Sequence, residues 1–289
     1  MRISLGITSY TWPSGPPGLG IELAAIARAA EEVGLDTVWV ADHLLQMDPA
    51  STADAEMLEA YTTLGFLAAQ TERIRLGTMV TAVTFRPPSV LIKAVTTLDI
   101  LSGGRAWLGV GAGYQEGEAR AMDLPLPPLA ERFERLDETL RLALQMWSDN
   151  RSPFEGRHYR LDRPISIPPP LRKPHPPILI GGMGERKTLR LVAERADACN
   201  LFDIPDGGDT IRRKLEVLRR HCDAVGRRYD EIEKTVSTRL NPGESPDEFA
   251  DRCRELGRLG IEHAVVITTG AWTADAVESL GVARERMEV

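Results

Sequence analysis

Cysteine is scarce, with three residues in 289. Cys199, Cys222 and Cys253 are widely spaced and form neither a CxxC pair nor a His/Cys zinc pattern, so they read as reduced, mostly buried thiols in a reducing compartment. Positive charge is also short: 35 Lys and Arg face 42 Asp and Glu, a net charge of −7. No basic excess is left to neutralise nucleic-acid phosphates or an anionic membrane. No apolar run approaches the ~20 residues of a membrane span. The opening MRISLGITSY has one basic residue and too short an apolar run for a secretion signal. The expected location is the cytoplasm, and the expected partner is a small-molecule substrate. A GxSxG nucleophile elbow and an HExxH zinc motif are both missing, and the five histidines are scattered, which argues against a metal site.

What is present is alternation. Strand-like runs at 3–9, 37–41, 74–81, 105–110, 178–180, 198–202, 232–238 and 264–268 are each followed by helical spacing. The helices fall at 19–33, 57–70, 90–101, 129–147, 185–195, 209–225, 246–259 and from 273 onward. Residues 149–177 interrupt the series; they are dense in proline and contain a hairpin-like stretch, Phe154 to Tyr159. Eight strand-then-helix units predict an α/β fold, a (β/α)8 TIM barrel, with an open doubly wound sheet as the alternative. One domain over 1–289 is expected, with the Pro-rich insertion between the fourth helix and the fifth strand. A chain of this length buries roughly 75% of its unfolded surface and needs no cross-links.

In a barrel the chemistry gathers at the C-terminal ends of the strands. After the second strand come Asp42 and His43, the only histidine at a predicted mouth. They read either as an acid/base group with a carboxylate orienter, or as a helix cap and a loop histidine. The third strand ends in Met79, Val80 and Thr81, an apolar shelf or an ordinary core strand. The fourth ends in GVGAG, with Gly111 and Gly113. Its GxGxG spacing and position do not fit a dinucleotide fingerprint, and the glycines suit close approach of a ligand. Glu116 and Glu118 follow, either as a polar wall or as a solvated helix start. After the fifth strand, Gly181, Gly182, Met183 and Gly184 form either a tight turn or an anion cradle at a helix N-terminus. Lys187 and Arg186 would then pair with the anion or face water. Tyr10 and Trp12 after the first strand line an aromatic pocket or pack a lid.

Five stretches in order carry a resemblance: WVADH at 39–43, RIRLGTMVTAVTFRPP at 73–88, TTLDILSGGRAWLGVGAG at 96–113, ERFERLDETL at 131–140 and PPILIGGMGERKTLRLVAERADACN at 176–200. Together they resemble the luciferase-like monooxygenase superfamily, in particular its branch dependent on the 5-deazaflavin coenzyme F420. The resemblance covers residues 1 to about 240. It implies a flat ring across the barrel mouth, with a cis peptide at Met79–Val80 behind it. It implies that Asp42 contacts the ring's polar edge, that His43 handles a proton over the reactive face, and that Gly181 to Gly184 hold the coenzyme phosphate. The implied activity is hydride transfer between F420 and a small organic substrate, by a homodimer packed through barrel helices. An FMN-dependent monooxygenase and a non-catalytic F420-binding protein are the alternatives.

Two departures bear on substrate. Tyr114 stands where the sugar-phosphate dehydrogenases of that branch place a glutamate. Gln46 and Met47 occupy the region of their tryptophan. Both argue against glucose 6-phosphate and predict a more apolar pocket lined by Tyr10, Trp12, Met47 and Tyr114.

Overall fold

A computed structural model describes residues 1–48 and 51–288. Nine parallel strands form one sheet: β1 (Arg2–Ile7), β2 (Thr37–Val40), β3 (Arg75–Thr78), β4 (Thr81–Ala82), β5 (Leu108–Gly111), then β8 to β11 after an antiparallel hairpin of β6 (Phe154–Glu155) and β7 (Arg160–Leu161). The later four are β8 (Ile178–Gly181), β9 (Ala198–Phe202), β10 (Glu233–Arg239) and β11 (His263–Ile267). The sheet order is β3-β2-β1-β11-β10-β9-β8-β5-β4. A parallel bridge between Leu76 and Ala106 brings β3 beside the chain entering β5 and closes the ring. The Leu76 amide donates to Arg105 O at 3.0 Å and the Trp107 amide to Leu76 O at 2.8 Å. β3 and β4 are therefore one rung, interrupted by a cis peptide at Met79–Val80, and the cylinder has eight rungs.

The outer ring comprises α1 (Leu19–Glu32), α2 (Ala60–Gln70), α3 (Pro88–Leu101), the short α4 (Glu116–Ala121), α5 (Leu129–Met146), α6 (Thr188–Arg195), α7 (Asp209–Val225), α8 (Pro246–Arg258) and α9 (Ala274–Glu288). Local chemistry sets the ends. Ser245 and Glu248 form a reciprocal capping box with Pro246 in the first turn of α8. α7 stops at Gly226, whose φ of 69° suits a residue without Cβ. Where the alternation predicts helix from 57, α2 starts at Ala60, because the Glu59 side chain caps the Thr62 amide at 2.7 Å. The third strand, expected unbroken over 74–81, is split at 79–80. The insertion is pinned by two carboxylates: Glu138 accepts from the amides of Arg157, His158 and Tyr159, and Asp99 from those of Leu171 and Arg172.

Inside the cylinder Trp39 and Trp107 lie with ring centroids 5.6 Å apart, among Leu179, Ala198 and Val265. Gly77 leaves them room, since a Cβ there would sit 2.7 Å from the Trp39 ring. Met79 and Val80 pack on top of this plug, so the barrel is solid below and open only at its C-terminal end. All three cysteine thiols are buried, and burial pushes Cys199 and Cys253 up to about 12. No described helix is long and apolar enough to cross a membrane.

The opposite end of the barrel is held by charge. Buried His263 places Nδ1 2.7 Å from Glu233, Arg2 reaches Glu233 at 2.6 Å, and Arg75 pairs with Asp36. Burial opposes both carboxylates, but for Glu233 the His263 hydrogen bond, and for Asp36 the His263 and Arg75 charges, outweigh it and hold both below their ordinary values. Groups with depressed folded-state pKa values stabilise above the unfolded value and lose that contribution as pH falls. Stability is therefore expected to be full near neutrality and to decline as pH drops below 4.5 and then 3.8, the ordinary Glu and Asp values. Urea midpoints across pH 3 to 7 check this, and Glu233→Gln is expected to flatten the slope.

Candidate active site

At the open end lies a cavity of about 1040 Å³. Its wall is built from strand ends and the loops that leave them, and Trp39 forms part of its floor. Such a volume is at the upper end of the usual size of a cofactor or substrate site, about 300–1,000 Å³.

His43 follows β2 and lines this cavity. Its Nδ1 lies 2.8 Å from Glu118 Oε2, at the start of α4. The other Glu118 oxygen accepts from the amides of Leu44 at 2.6 Å and Leu45 at 3.2 Å. The Glu118 side chain is fully covered. Burial works against its charge, yet the His43 hydrogen bond and the Leu44 amide prevail and hold its pKa below the usual carboxylate range. An ionised carboxylate only accepts, so Nδ1 carries a proton and Nε2 is the ring atom left for chemistry. Replacing Glu118 by Gln is expected to lower kcat about 10- to 100-fold, the scale of loss seen for partners that orient a reactive histidine. The pH–rate profile should shift with it, while coenzyme affinity changes little; stopped kinetics beside a binding titration read both.

The carboxylate of Asp42 turns the other way. Its side chain is fully covered; Arg86 binds both oxygens at 2.6 and 3.0 Å, and Thr81 Oγ1 donates to Oδ2 at 2.7 Å. Arg86 also pairs with Glu59 at 2.5 Å and lies 4.9 Å over the Tyr61 ring. Burial disfavours the guanidinium charge, but Asp42 more than restores it and the Arg86 pKa is raised. Asp42 thus braces Thr81 immediately after the Met79–Val80 corner. Tyr61 does the same from α2, with its hydroxyl 2.9 Å from Thr81 Oγ1.

The glycines have two uses. A Cβ on Gly181 would meet Val80 at 2.9 Å and one on Gly111 would meet it at 3.1 Å, so both make room for the Val80 side chain at the cavity floor. Gly182 has φ 114° and its amide bonds Asn200 O at 3.2 Å, while Gly113 has φ 76° and lies against Ala82. The amides of Met183 and Gly184 have no acceptor among the described residues. Thr188, the first residue of α6, lines the cavity beside them.

An apolar floor, a histidine with one nitrogen committed, and unbonded amides before a helix form a constellation open to comparison with known proteins. The pattern that defines the luciferase-like monooxygenases matches residues 11–285. The chain belongs to the luciferase-like monooxygenase family. An F420-dependent glucose-6-phosphate dehydrogenase of Kineococcus radiotolerans is 35% identical over 248 residues, covering 83% of this chain and 69% of that protein. Among solved structures, a monooxygenase of Streptomyces bottropensis superposes with a TM-score of 0.84 at 18% identity, covering 100% of both chains. An F420-dependent secondary alcohol dehydrogenase in complex with an F420–acetone adduct gives 0.83 at 16%, covering 99% and 98%. At those identities the two structures speak for the fold alone.

Of the residues singled out in the sequence, Asp42, His43, Met47, Met79, Val80 and Tyr114 meet at this cavity, with Gly111, Gly113, Gly181 and Gly182. Others do not. Tyr10 and Trp12 are core residues rather than lining; Trp12 Nε1 donates to Trp272 O at 2.8 Å, and the two rings pack edge to face. Thr81 is buried behind the wall and holds Asp42. Met183 turns toward a second core cluster, its sulfur accepting from the Phe202 amide, and Gly184 lies outside the lining. The orienter of His43 is Glu118, not Asp42. Arg186 is exposed, and Lys187 lies 5.3 Å over the Phe133 ring.

Sequence reasoning assigned no role to Arg86, Asn200, Asp203, Ser237 or Arg252. Arg239 and Asn241, to which it likewise assigned no role, also line the cavity. Glu118 had carried a signal, a carboxylate five residues past the last strand-end glycine, but nothing in the sequence separates a buried acid from a solvated one there.

Proposed function

We propose that this chain is a coenzyme F420-dependent oxidoreductase that moves a hydride between the 5-deazaflavin and a small organic substrate. The observation that carries it is His43, locked at Nδ1 by a buried carboxylate, on the same cavity as the Met79–Val80 floor. The relative named an F420-dependent dehydrogenase at 35% identity supports it. The residues fit the group: Met79 and Val80 give the cavity an apolar floor for a ring, and Gly181, Gly182 and Thr188 line it next to the Met183 and Gly184 amides, which have no acceptor among the described residues and suit its phosphate. When bound, the deazaflavin supplies a carbon centre that accepts or gives a hydride. His43 Nε2 takes the proton from a substrate hydroxyl or returns one to a carbonyl oxygen, and Glu118 offsets the charge that the imidazole gains. Apolar side chains around the cavity exclude water from that exchange.

The catalytic unit is one barrel over residues 1–289. It pairs into a homodimer through α2 and α3, where Phe66, Val90 and Leu101 are exposed. Fluorescence titration with F420 tests the coenzyme directly: saturable binding, at least about tenfold tighter than FMN, is expected. Preferential binding of FMN, with oxygen uptake in the presence of reduced flavin, contradicts the proposal and favours a flavin monooxygenase.

A further inference from the structure

We propose that the basic surface formed by the turn before α6 and the side of α7 that faces it binds the acidic tail of the coenzyme, with Arg186, Lys187, Arg213 and Arg220 as its contacts. The inference deepens the oxidoreductase reading and rests on it for the identity of the coenzyme.

The surface begins where the phosphate corner ends. None of the five amides from Met183 to Lys187 has an acceptor among the described residues. Thr188, 6% exposed, lines the cavity beside them, and its hydroxyl has no hydrogen-bond partner among the described residues. That hydroxyl lies against Gly184, since a Cβ there would come 2.7 Å from Thr188 Oγ1. A covered hydroxyl left open beside unbonded amides suits an anion at the cavity rim.

Positive charge continues from that corner onto the surface. Residues 185–187 and 213–220 hold six Arg and Lys against two acids, Glu185 and Glu216, in a chain where acids outnumber bases. Glu185 is already answered: Lys214 reaches it at 2.7 Å and Arg213 at 3.3 Å. Lys214 above all, then Arg213 and Arg220, hold the Glu185 carboxyl below its ordinary value, so all three α7 cations act on this turn. His221 Nε2 donates to Glu185 O at 2.7 Å and ties α7 to it. Arg219 is engaged elsewhere, 4.1 Å over the Tyr229 ring. Arg186 and Arg220 are exposed and enter no ion pair among the described residues. Lys187 Nζ lies 5.3 Å over Phe133, a residue of the cavity wall. Glu134, beside it, is held by His158 at 2.7 Å and Arg157 at 3.1 Å. A surplus of cations therefore stands just outside the cavity, on the side of the unbonded amides.

The chemistry of the coenzyme matches this surface. Beyond its phosphate, F420 continues through lactate into a chain of γ-linked glutamates, each with a free carboxylate. FMN stops at the phosphate. Exposed guanidinium and ammonium groups meet successive carboxylates with little demand on geometry. The surface thus gives F420 contacts that FMN lacks, through atoms remote from the ring.

The test measures dissociation constants, by deazaflavin fluorescence, for three forms of the coenzyme: one ending at lactate, one with two glutamates and one with five. At low salt, affinity is expected to rise about two- to threefold per glutamate over the first few, the scale of exposed ion pairs. In about 0.5 M NaCl the whole gain should shrink below about twofold. Arg186→Gln combined with Arg220→Gln removes two exposed charges that no acid holds. The double variant is expected to lose most of the length dependence at low salt, while its melting temperature stays unchanged and the lactate-ended form weakens by less than about threefold. Equal affinity for all three forms, or a length dependence that the double variant leaves intact, overturns the proposal and leaves the coenzyme reading standing. No binding of any form overturns both.

Discussion

Replacing His43 with alanine is expected to lower kcat by about 10²- to 10⁴-fold, the usual contribution of a placed general acid or base. Coenzyme affinity should change less than about threefold. The two effects separate because the coenzyme's proposed contacts are elsewhere, at Met79, Val80 and the amides before α6. Glu118 would stay buried in the variant with its His43 bond gone but its Leu44 and Leu45 amides kept, so the loop after β2 retains two of its three ties. Steady-state kinetics with an F420 titration on the same preparation check this. Partial rescue of turnover by added imidazole would tie the loss to the missing ring, and unaltered turnover would remove His43 from the chemistry.

Gly109→Ala is expected to destabilise the fold by about 3 kcal/mol or more, a loss of roughly 5–10 °C in melting temperature. A Cβ at this position in β5 would lie 1.8 Å from the Thr78 carbonyl oxygen and 2.9 Å from its carbon. Both obstructing atoms are backbone, so no rotamer change relieves the clash. Thr78 Oγ1 donates to Gly109 O at 2.8 Å, which holds the two rungs at this spacing. The damage falls where the third rung breaks before Met79, so coenzyme affinity should fall along with stability. Gly257→Ala is the control: it lies exposed in α8 with nothing within 4 Å of a new Cβ, and should stabilise by about 0.5–1 kcal/mol. Melting curves of both variants distinguish a specific clash from a general intolerance of substitution.

The contrast between these two glycines shows what the sequence revealed and what it withheld. The alternation of buried runs with helical spacing was sufficient for the barrel, because each strand and each helix obeys its own period. β9 and α7 begin and end where that period changes. The split in the third rung was not readable from period, since 78–81, Thr-Met-Val-Thr, continues the strand-like run without a breaker; only the resemblance to a family placed a break at 79–80. The site was half legible. His43 stands out as a lone histidine after a buried strand. Asp42 looked like its natural partner because the two are adjacent, yet successive residues in extended chain point to opposite sides. The carboxylate that reaches the ring comes instead from 75 residues away, a distance that only the closed cylinder shortens. Tyr10 and Trp12 failed as pocket residues for a related reason, since aromatic character alone does not separate a lining ring from a core ring. The arginines at 239 and 252 were hidden because their partners, Asp48, Asp203 and Glu244, come from three separate loops.

The central claim is that a flat hydride carrier rests on Met79 and Val80 with its phosphate at the amides before α6 and its reactive face toward His43. A crystal structure of the F420 complex tests this most directly. The predicted result has the ring within van der Waals distance of the Met79–Val80 peptide, a phosphate oxygen within about 3 Å of the Met183 or Gly184 amide, and His43 Nε2 across the ring from the floor. A coenzyme bound outside the barrel mouth, or a ring with His43 and the Met79–Val80 peptide on the same side, contradicts the account.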